Sequence, residues 1–481
     1  MSRLFLFAVL LLGGCSIPIP RGPIADFFTK DYELPNYDAR TADLARSFLD
    51  FDSSPASAAF GGLAGAGAGG AKTWHPSSAV GLGGPSGAAL SHLMNEARTV
   101  APLPETYNLF ALALPIIATD PNKGPTVGLI APAVFKERKR ITNILAPDVT
   151  VNEIDGIGAI FRMRRAFSRV SDLLIDAGTS SEGNDEYEIR FRQRRFGINQ
   201  ALFYETRFVY RTELSTRFYG IGNDTDEDDE SSYVFRQTVA QALIGVEIPF
   251  DMRIELRERV VSYKVGPGRL DRVPSTRLRY PNVEGVRGDR FTIQAHQIRL
   301  TYDTRDSLTT PTRGLFGDFT YELSDGTLGS EVGFQRFGLT LSGLFPKLKG
   351  RMTTVVRMSG WILTGDKIPF YELTQLGGRN TIRGYGQGRF VDQNGYVVNL
   401  EERINILDYT IAGVDQVLQL AGFIDAGRVF AEGERFTLKQ TKIAVGAAIR
   451  LVIPDSELVT SIDIGVSNEG PAVFVALDYP F

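Results

Sequence analysis

The sequence predicts an all-β fold: a transmembrane antiparallel β-barrel of about 16 strands, preceded by a flexible low-complexity N-terminal segment. Two patterns and one exclusion carry this. From about residue 124 to Phe481, apolar residues recur at every second position, the period at which side chains share one face of a strand. In several segments the intervening positions carry Arg and Glu in columns, which suits lipid on one face and a charged, water-filled lumen on the other. Past the N-terminus, no stretch stays apolar and uncharged for the roughly 18 residues that a transmembrane helix needs.

The chain opens with "MSRLFLFAVLLLGGCSIPIP". Arg3 supplies the positive end of a signal peptide, and Leu4 to Leu12 form its apolar core. Gly13 and Gly14 precede Cys15, the single cysteine of the chain, so no intramolecular disulfide forms. Small residues before a Cys at this point resemble the lipobox of bacterial lipoproteins, with residues 1–14 removed and Cys15 lipidated. An ordinary signal peptide with an incidental Cys is the plainer reading.

Residues 15–105 read as a flexible Gly/Ala-rich periplasmic tether, because "FGGLAGAGAGGAKTWHPSSAVGLGGPSGAAL" has too few large apolar groups for a core. Its Gly-rich run lacks the Gly-Lys-Ser/Thr ending of a phosphate loop, and Ala88 replaces the second glycine of a nucleophile elbow.

The barrel is expected over 110–481. Leu202, Tyr204, Thr206, Phe208 and Tyr210 alternate with Glu205, Arg207 and Arg211. Ile254, Leu256 and Val260 alternate with Arg253, Glu255, Arg257 and Arg259. Ile443, Val445, Ala447, Ile449 and Leu451 oppose Lys442, Ala444, Gly446, Ala448 and Arg450. In the last strand Val473, Val475, Leu477, Tyr479 and Phe481 share one face, with Tyr479 and Phe481 as an aromatic C-terminal barrel signal. Glu402 falls on the apolar phase of its strand and breaks the pattern. Connections alternate between tight turns, such as "IPFD" and "FPKLKG", and long ones at 219–231, 265–290 and 366–396. Long connections suit the outer side of a bacterial barrel and short ones the periplasmic side.

The last long connection contains "LGGRNTIRGYGQGRF", residues 376–390, which is rich in Gly and Arg. Within it, Ile382, Arg383, Gly384 and Tyr385 resemble the Val/Ile-Arg-Gly-Phe/Tyr motif of the barrel-assembly superfamily, which includes the bacterial surface antigen family. "FYGIGNDT" at 218–225, "YDTRDSLTTPTRG" at 302–314, "NLEER" at 399–403, "GFIDAG" at 422–427 and the C-terminal "ALDYPF" look like further family blocks in the expected order. The resemblance implies that this loop folds back into the lumen and that Arg383 pairs with Asp425. Independently, Asp425 shares a phase with Gln419, Ala421 and Phe423, opposite Leu418, Leu420 and Ile424, and so points inward. Glu401 and Arg403 are inward by phase and are candidates for lumenal support. Family members typically carry polypeptide-transport-associated domains before the barrel. The tether leaves no room for them, so this chain resembles the subset without them.

The resemblance implies a barrel in the bacterial outer membrane that assists insertion or translocation of proteins or lipids, through a weak seam between its last and first strands. A gated channel without assembly activity is the alternative. Partners on this reading are outer-membrane lipids, unfolded outer-membrane proteins or lipid as clients, and a periplasmic chaperone or accessory protein. The near-balanced charge of −4 gives no basic surplus for nucleic acid. An enzyme is not expected: of three histidines, His75 and His92 fall in the tether and His296 stands alone on a strand. No cofactor or metal is expected, since the acidic run Asp224 to Glu230 lacks the ligand spacing of a calcium loop.

Overall fold

The computed structural model describes residues 15–19 and 107–481, apart from 112–113, 138–139, 169, 272, 288–289, 308–309, 412–413, 454–457 and 477–478. The expected signal peptide (1–14) and most of the expected tether (20–105) lie outside the described residues.

A short strand, β1 (Cys15–Ile19), comes first. The first barrel strand has two pieces, β2 (Tyr107–Ala111) and β3 (Leu114–Asp120), as have the second, β4 (Gly124–Ile130) and β5 (Ala133–Glu137), and the third, β6 (Arg140–Leu145) and β7 (Asp148–Asn152). Unbroken strands follow: β8 (Gly156–Ala166), β9 (Ser171–Ser180), β10 (Glu186–Phe196) and β11 (Leu202–Phe218). Then come β12 (Ser231–Ile248), β13 (Met252–Pro267), β14 (Arg290–Asp303), β15 (Gly314–Ser324), β16 (Phe334–Lys347) and β17 (Met352–Thr364). A small hairpin, β18 (Thr374–Leu376) and β19 (Phe390–Asp392), interrupts the wall. The wall ends with β20 (Asn394–Ile411), β21 (Val414–Phe430), β22 (Lys442–Ile453), β23 (Leu458–Ser467) and β24 (Gly470–Ala476).

Consecutive strands pair antiparallel and close into an 18-strand barrel with one extra strand. The count of about 16 was therefore low. One strand that alternation missed is the first: "YNLFALALPIIATD" is almost continuously apolar and shows no period of two. Closure comes where β24 meets β3, with Val475 opposite Thr119. Further along the same edge, β1 pairs with β2, from Cys15 opposite Ala111 to Ile19 opposite Tyr107.

The outward face carries exposed Val, Leu, Ile and Phe, including Ile189, Phe208, Leu256, Ile298, Leu339, Ile362, Ile424 and Ile464. Inward positions are buried and heavily charged: Arg211, Arg336, Arg357, Arg403 and Arg450 are among the most enclosed side chains. Inward charges face partners across the sheet, such as Arg299 with Asp318 at 2.6 Å and Arg207 with Glu188 at 2.8 Å. Such pairing lowers the cost of taking both charges from water.

Glu402 is explained by its depth. It points outward, but it lies toward the short-turn end of β20, where Thr354 donates to it at 2.8 Å and Lys347 approaches to 3.5 Å. His296 also points outward, on β14, and contacts Glu258 of β13. In the acidic run, Asp229 pairs with Arg279 at 2.7 Å and Glu230 with Arg217 at 2.8 Å.

Candidate functional site: an inward hairpin held by Arg383

The connection from β17 to β20 does not extend away from the barrel. It enters the lumen as a hairpin in which Thr374 faces Asp392 and Leu376 faces Phe390. Gly377 (φ 108°) and Gly378 (φ 91°) start the tip in a backbone region that L side chains resist. The Thr381 hydroxyl then bonds to the Gly377 carbonyl at 2.8 Å, and the Gly378 N–H donates to the Tyr385 carbonyl at 3.0 Å. The glycines make the turn and the hydroxyl fixes it, which delivers Arg383 to the wall.

Arg383 is fully buried. Its Nε donates to Asp425 Oδ2 at 2.8 Å and its Nη2 to Asp425 Oδ1 at 2.9 Å, a two-pronged fit of planar guanidinium to carboxylate. The backbone N–H of Arg383 adds a third bond to Asp425 at 3.0 Å. Nη1 reaches Glu401 at 2.5 Å and Asp463 at 3.4 Å. The guanidinium also lies 3.5 Å from the centre of the Phe423 ring, a cation–π contact strengthened by exclusion of water.

The two carboxylates beyond Asp425 serve further cations. Glu401 accepts from Arg450 at 2.6 and 3.0 Å and from Arg403 at 2.7 Å. Asp463 accepts from Arg450 at 2.9 Å and from the Ser461 hydroxyl at 2.6 Å. Asn399 donates both to Asp425 at 2.8 Å and to the loop carbonyl of Thr381 at 2.7 Å. One side chain from the hairpin thus joins groups on β20, β21 and β23, and Arg450 on β22 shares two of the same carboxylates, so the strands that lead to the seam meet in one cluster.

Close approach is required as well as charge. A Cβ added to Gly465 on β23 would sit 1.8 Å from the Arg383 carbonyl oxygen, and one on Gly384 would sit 2.6 Å from the Ala444 Cβ. Two facing glycines therefore let backbone lie against backbone. Ile382 packs in a buried cluster with Trp361, Leu376, Val397 and Val429. The Tyr385 ring lies edge-on to Phe390 at 4.9 Å, and its hydroxyl bonds to Asn468.

All four motif residues, Asp425, Glu401 and Arg403 come together here. Sequence reasoning missed Arg450 and Asp463 as members; both share the inward phase of their strands, but phase names no partner. It also missed Glu372, at the entry of the same loop. Glu372 is fully buried and accepts from Arg336 at 2.7 Å, Tyr263 at 2.8 Å, and Arg259 at 3.2 Å from each Nη. These partners stand on β13 and β16, away from the Arg383 cluster. Around them Phe218, Tyr233, Phe235, Tyr263, Phe370 and Tyr371 form a buried aromatic cluster at the long-loop end. The "FYGIGNDT" block contributes too: the Gly222 N–H bonds to the Val391 carbonyl at 2.7 Å, and Thr225 holds Arg389 at 2.7 and 2.8 Å.

One expectation is corrected. Tyr479 and Phe481 do not continue the outward face of the last strand. The strand ends at Ala476; the Tyr479 ring then lies 3.8 Å from the Arg403 guanidinium, and the Phe481 ring 5.0 Å from that of Arg383. Pro480 has no N–H for a ladder, and inward guanidiniums offer both rings a cation–π partner.

The Omp85 superfamily domain matches residues 172–480. No curated protein matches the chain. Among solved structures, BamA from Haemophilus ducreyi lacking POTRA domains 1–3 aligns with a TM-score of 0.51 at 14% identity, covering 82% of this chain and 78% of that one. CdiB from Escherichia coli (TM-score 0.43, 10% identity, 79% and 64% covered) and OccK11 (OpdR) from Pseudomonas aeruginosa (0.38, 12%, 78% and 94%) align more distantly. At these identities the likeness is one of fold. With the domain match spanning more than half of its residues, and a closed outer-membrane barrel as its fold, the chain belongs to the Omp85 superfamily.

Proposed function

We propose that this barrel assists insertion or translocation of proteins or lipids at the outer membrane, with the inward hairpin holding the seam strands in their closed arrangement. One observation carries the reading. Among the described residues the seam is registered only at Val475 opposite Thr119, whereas β23 and β24 pair along seven positions, from Ser461 with Ala476 to Ser467 with Gly470. An edge with few ladder bonds is costly in hydrocarbon, and it is also a template for an incoming strand. Arg383, with Arg450 on the carboxylates it shares, ties the four strands before that edge to one point. β1 takes up part of the same edge, and a diacylglycerol on Cys15 would anchor it in the adjacent leaflet; radiolabelled palmitate incorporation, lost in Cys15→Ser, tests that modification.

The test of function is depletion of this protein in its own bacterium, followed by quantitative outer-membrane proteomics. A fall in several unrelated barrel proteins is expected. A fall in one protein only would identify a dedicated translocator, and unchanged levels with altered solute permeability would identify a gated channel instead.

A further inference from the structure

The geometry points to a binding site for the phosphorylated headgroup of an outer-leaflet glycolipid on the outer surface of β12, β13 and β14. Arg236, Lys264 and Arg290 stand abreast: Arg236 is directly opposite Lys264, and Lys264 directly opposite Arg290. All three lie on the outward phase. Phe235 and Gln237 beside Arg236, and Tyr263 and Val265 beside Lys264, are the buried inward residues, while Lys264 and Arg290 are exposed. Neighbouring strands are about 4.8 Å apart, and like charges directly opposite one another are destabilising.

Nothing described in the chain neutralises this row. None of the three side chains is paired with a carboxylate among the described residues. The nearby carboxylate of Glu331 is engaged by the Thr292 backbone N–H at 2.6 Å. On its other side Arg236 faces Thr212, which is uncharged.

The position selects the ligand. The row lies at the long-loop end of the wall, which in an outer-membrane barrel is the extracellular side. The next outward row is Thr238, Ser262 and Thr292, three hydroxyls in register. Below it come Ala240 and Val260 with Gln294, then Ala242 with the Glu258–His296 pair, and after these the apolar belt of Ile244, Leu256 and Ile298. A groove bounded by Tyr204, Ala242, Leu256, Ile298 and Tyr321 opens there, with the paired Glu258 and His296 side chains also in its lining. Cations, then hydroxyls and the polar Gln294, Glu258 and His296, then apolar wall match phosphate, then sugar and amide, then acyl chain. A soluble anion would use only the first of these layers. The site is remote from the hairpin and does not rest on the insertion reading.

The full chain in detergent is incubated with diphosphoryl lipid A, and retained lipid is counted by native mass spectrometry. Retention of bound lipid A is expected for the wild type, with apparent affinity lowered about tenfold or more in the triple variant Arg236→Gln, Lys264→Gln, Arg290→Gln. Lys349→Gln, at the opposite end of the barrel, is expected to bind like the wild type. Heat-modifiable gel mobility establishes that each variant is folded; should the triple variant fail there, Arg290→Gln alone is expected to weaken binding about threefold. Equal retention by folded wild type and variant overturns the proposal. So does displacement of lipid A by an equimolar amount of inorganic phosphate, which would mark a site for free anions.

Discussion

Arg383 and Asp425 meet through three hydrogen bonds of 2.8–3.0 Å in a fully buried setting, one of them from the Arg383 backbone N–H. Side chain and backbone of one loop residue are thus fixed to one wall residue. A salt bridge alone would set distance; this arrangement also sets the orientation of the hairpin.

Removing one partner strips a buried charge of its two-pronged counter-charge, leaving Arg383 only Glu401 and Asp463, or Asp425 only the Asn399 amide and the backbone N–H of residue 383 among the bonds described above. Arg383→Ala and Asp425→Ala are each expected to destabilise the barrel by about 3–5 kcal/mol. The double variant should lose clearly less than the sum, because each single change already removes the same contact. Unfolding of the purified barrel in urea measures both quantities. Additive losses would mean that the two residues act separately.

The facing glycines give a steric prediction. Gly465→Ala places a methyl 1.8 Å from the Arg383 carbonyl oxygen and should expel the hairpin tip from its seat, whereas Gly422→Ala, on the neighbouring wall with nothing within 4 Å, should be silent. Limited proteolysis within residues 377–389 reads the difference: rapid cleavage in the first variant and protection in the second.

Glu372 supplies a second hold on the same loop, on the other wall. Glu372→Gln leaves Arg259 and Arg336 short of a negative charge and should loosen the aromatic cluster that fills the long-loop end. In planar bilayers the expected outcome is a several-fold rise in open-channel conductance or open time, while Arg383→Ala mainly frees the tip. Identical traces from wild type and Glu372→Gln would remove the second hold from the account.

Tyr479 and Phe481 stack on Arg403 and Arg383. Tyr479→Ala should cost about 1–2 kcal/mol, the range of a desolvated cation–π contact, and Tyr479→Phe much less. Urea midpoints of the two variants compare the ring with the hydroxyl, which also donates to Gln419 at 3.1 Å.

The sequence made some of this legible, for identifiable reasons. Asp425 could be oriented because Leu418, Leu420 and Ile424 mark the opposite phase of β21, and Arg383 could be singled out because its neighbours form a motif. Arg450 and Asp463 were readable as inward but not as members of the Arg383 cluster, since that depends on how deep the hairpin sits. Glu372 lies in a loop, where no period exists to orient it. The first strand was hidden because Phe110 to Ile117 are apolar on both phases apart from Pro115. The end of the last strand misled in the opposite way: Leu477, Tyr479 and Phe481 keep the alternation in sequence, while the inward arginines turn the two rings aside.

On the proposed function, the seam at Thr119 and Val475 must separate for the protein to work. A Thr119→Cys, Val475→Cys variant, read beside each single-cysteine control, can be locked by oxidation in cells depleted of the wild type. The account predicts that the locked barrel fails to restore outer-membrane protein levels and that reduction recovers them. Full restoration by the locked form would contradict it.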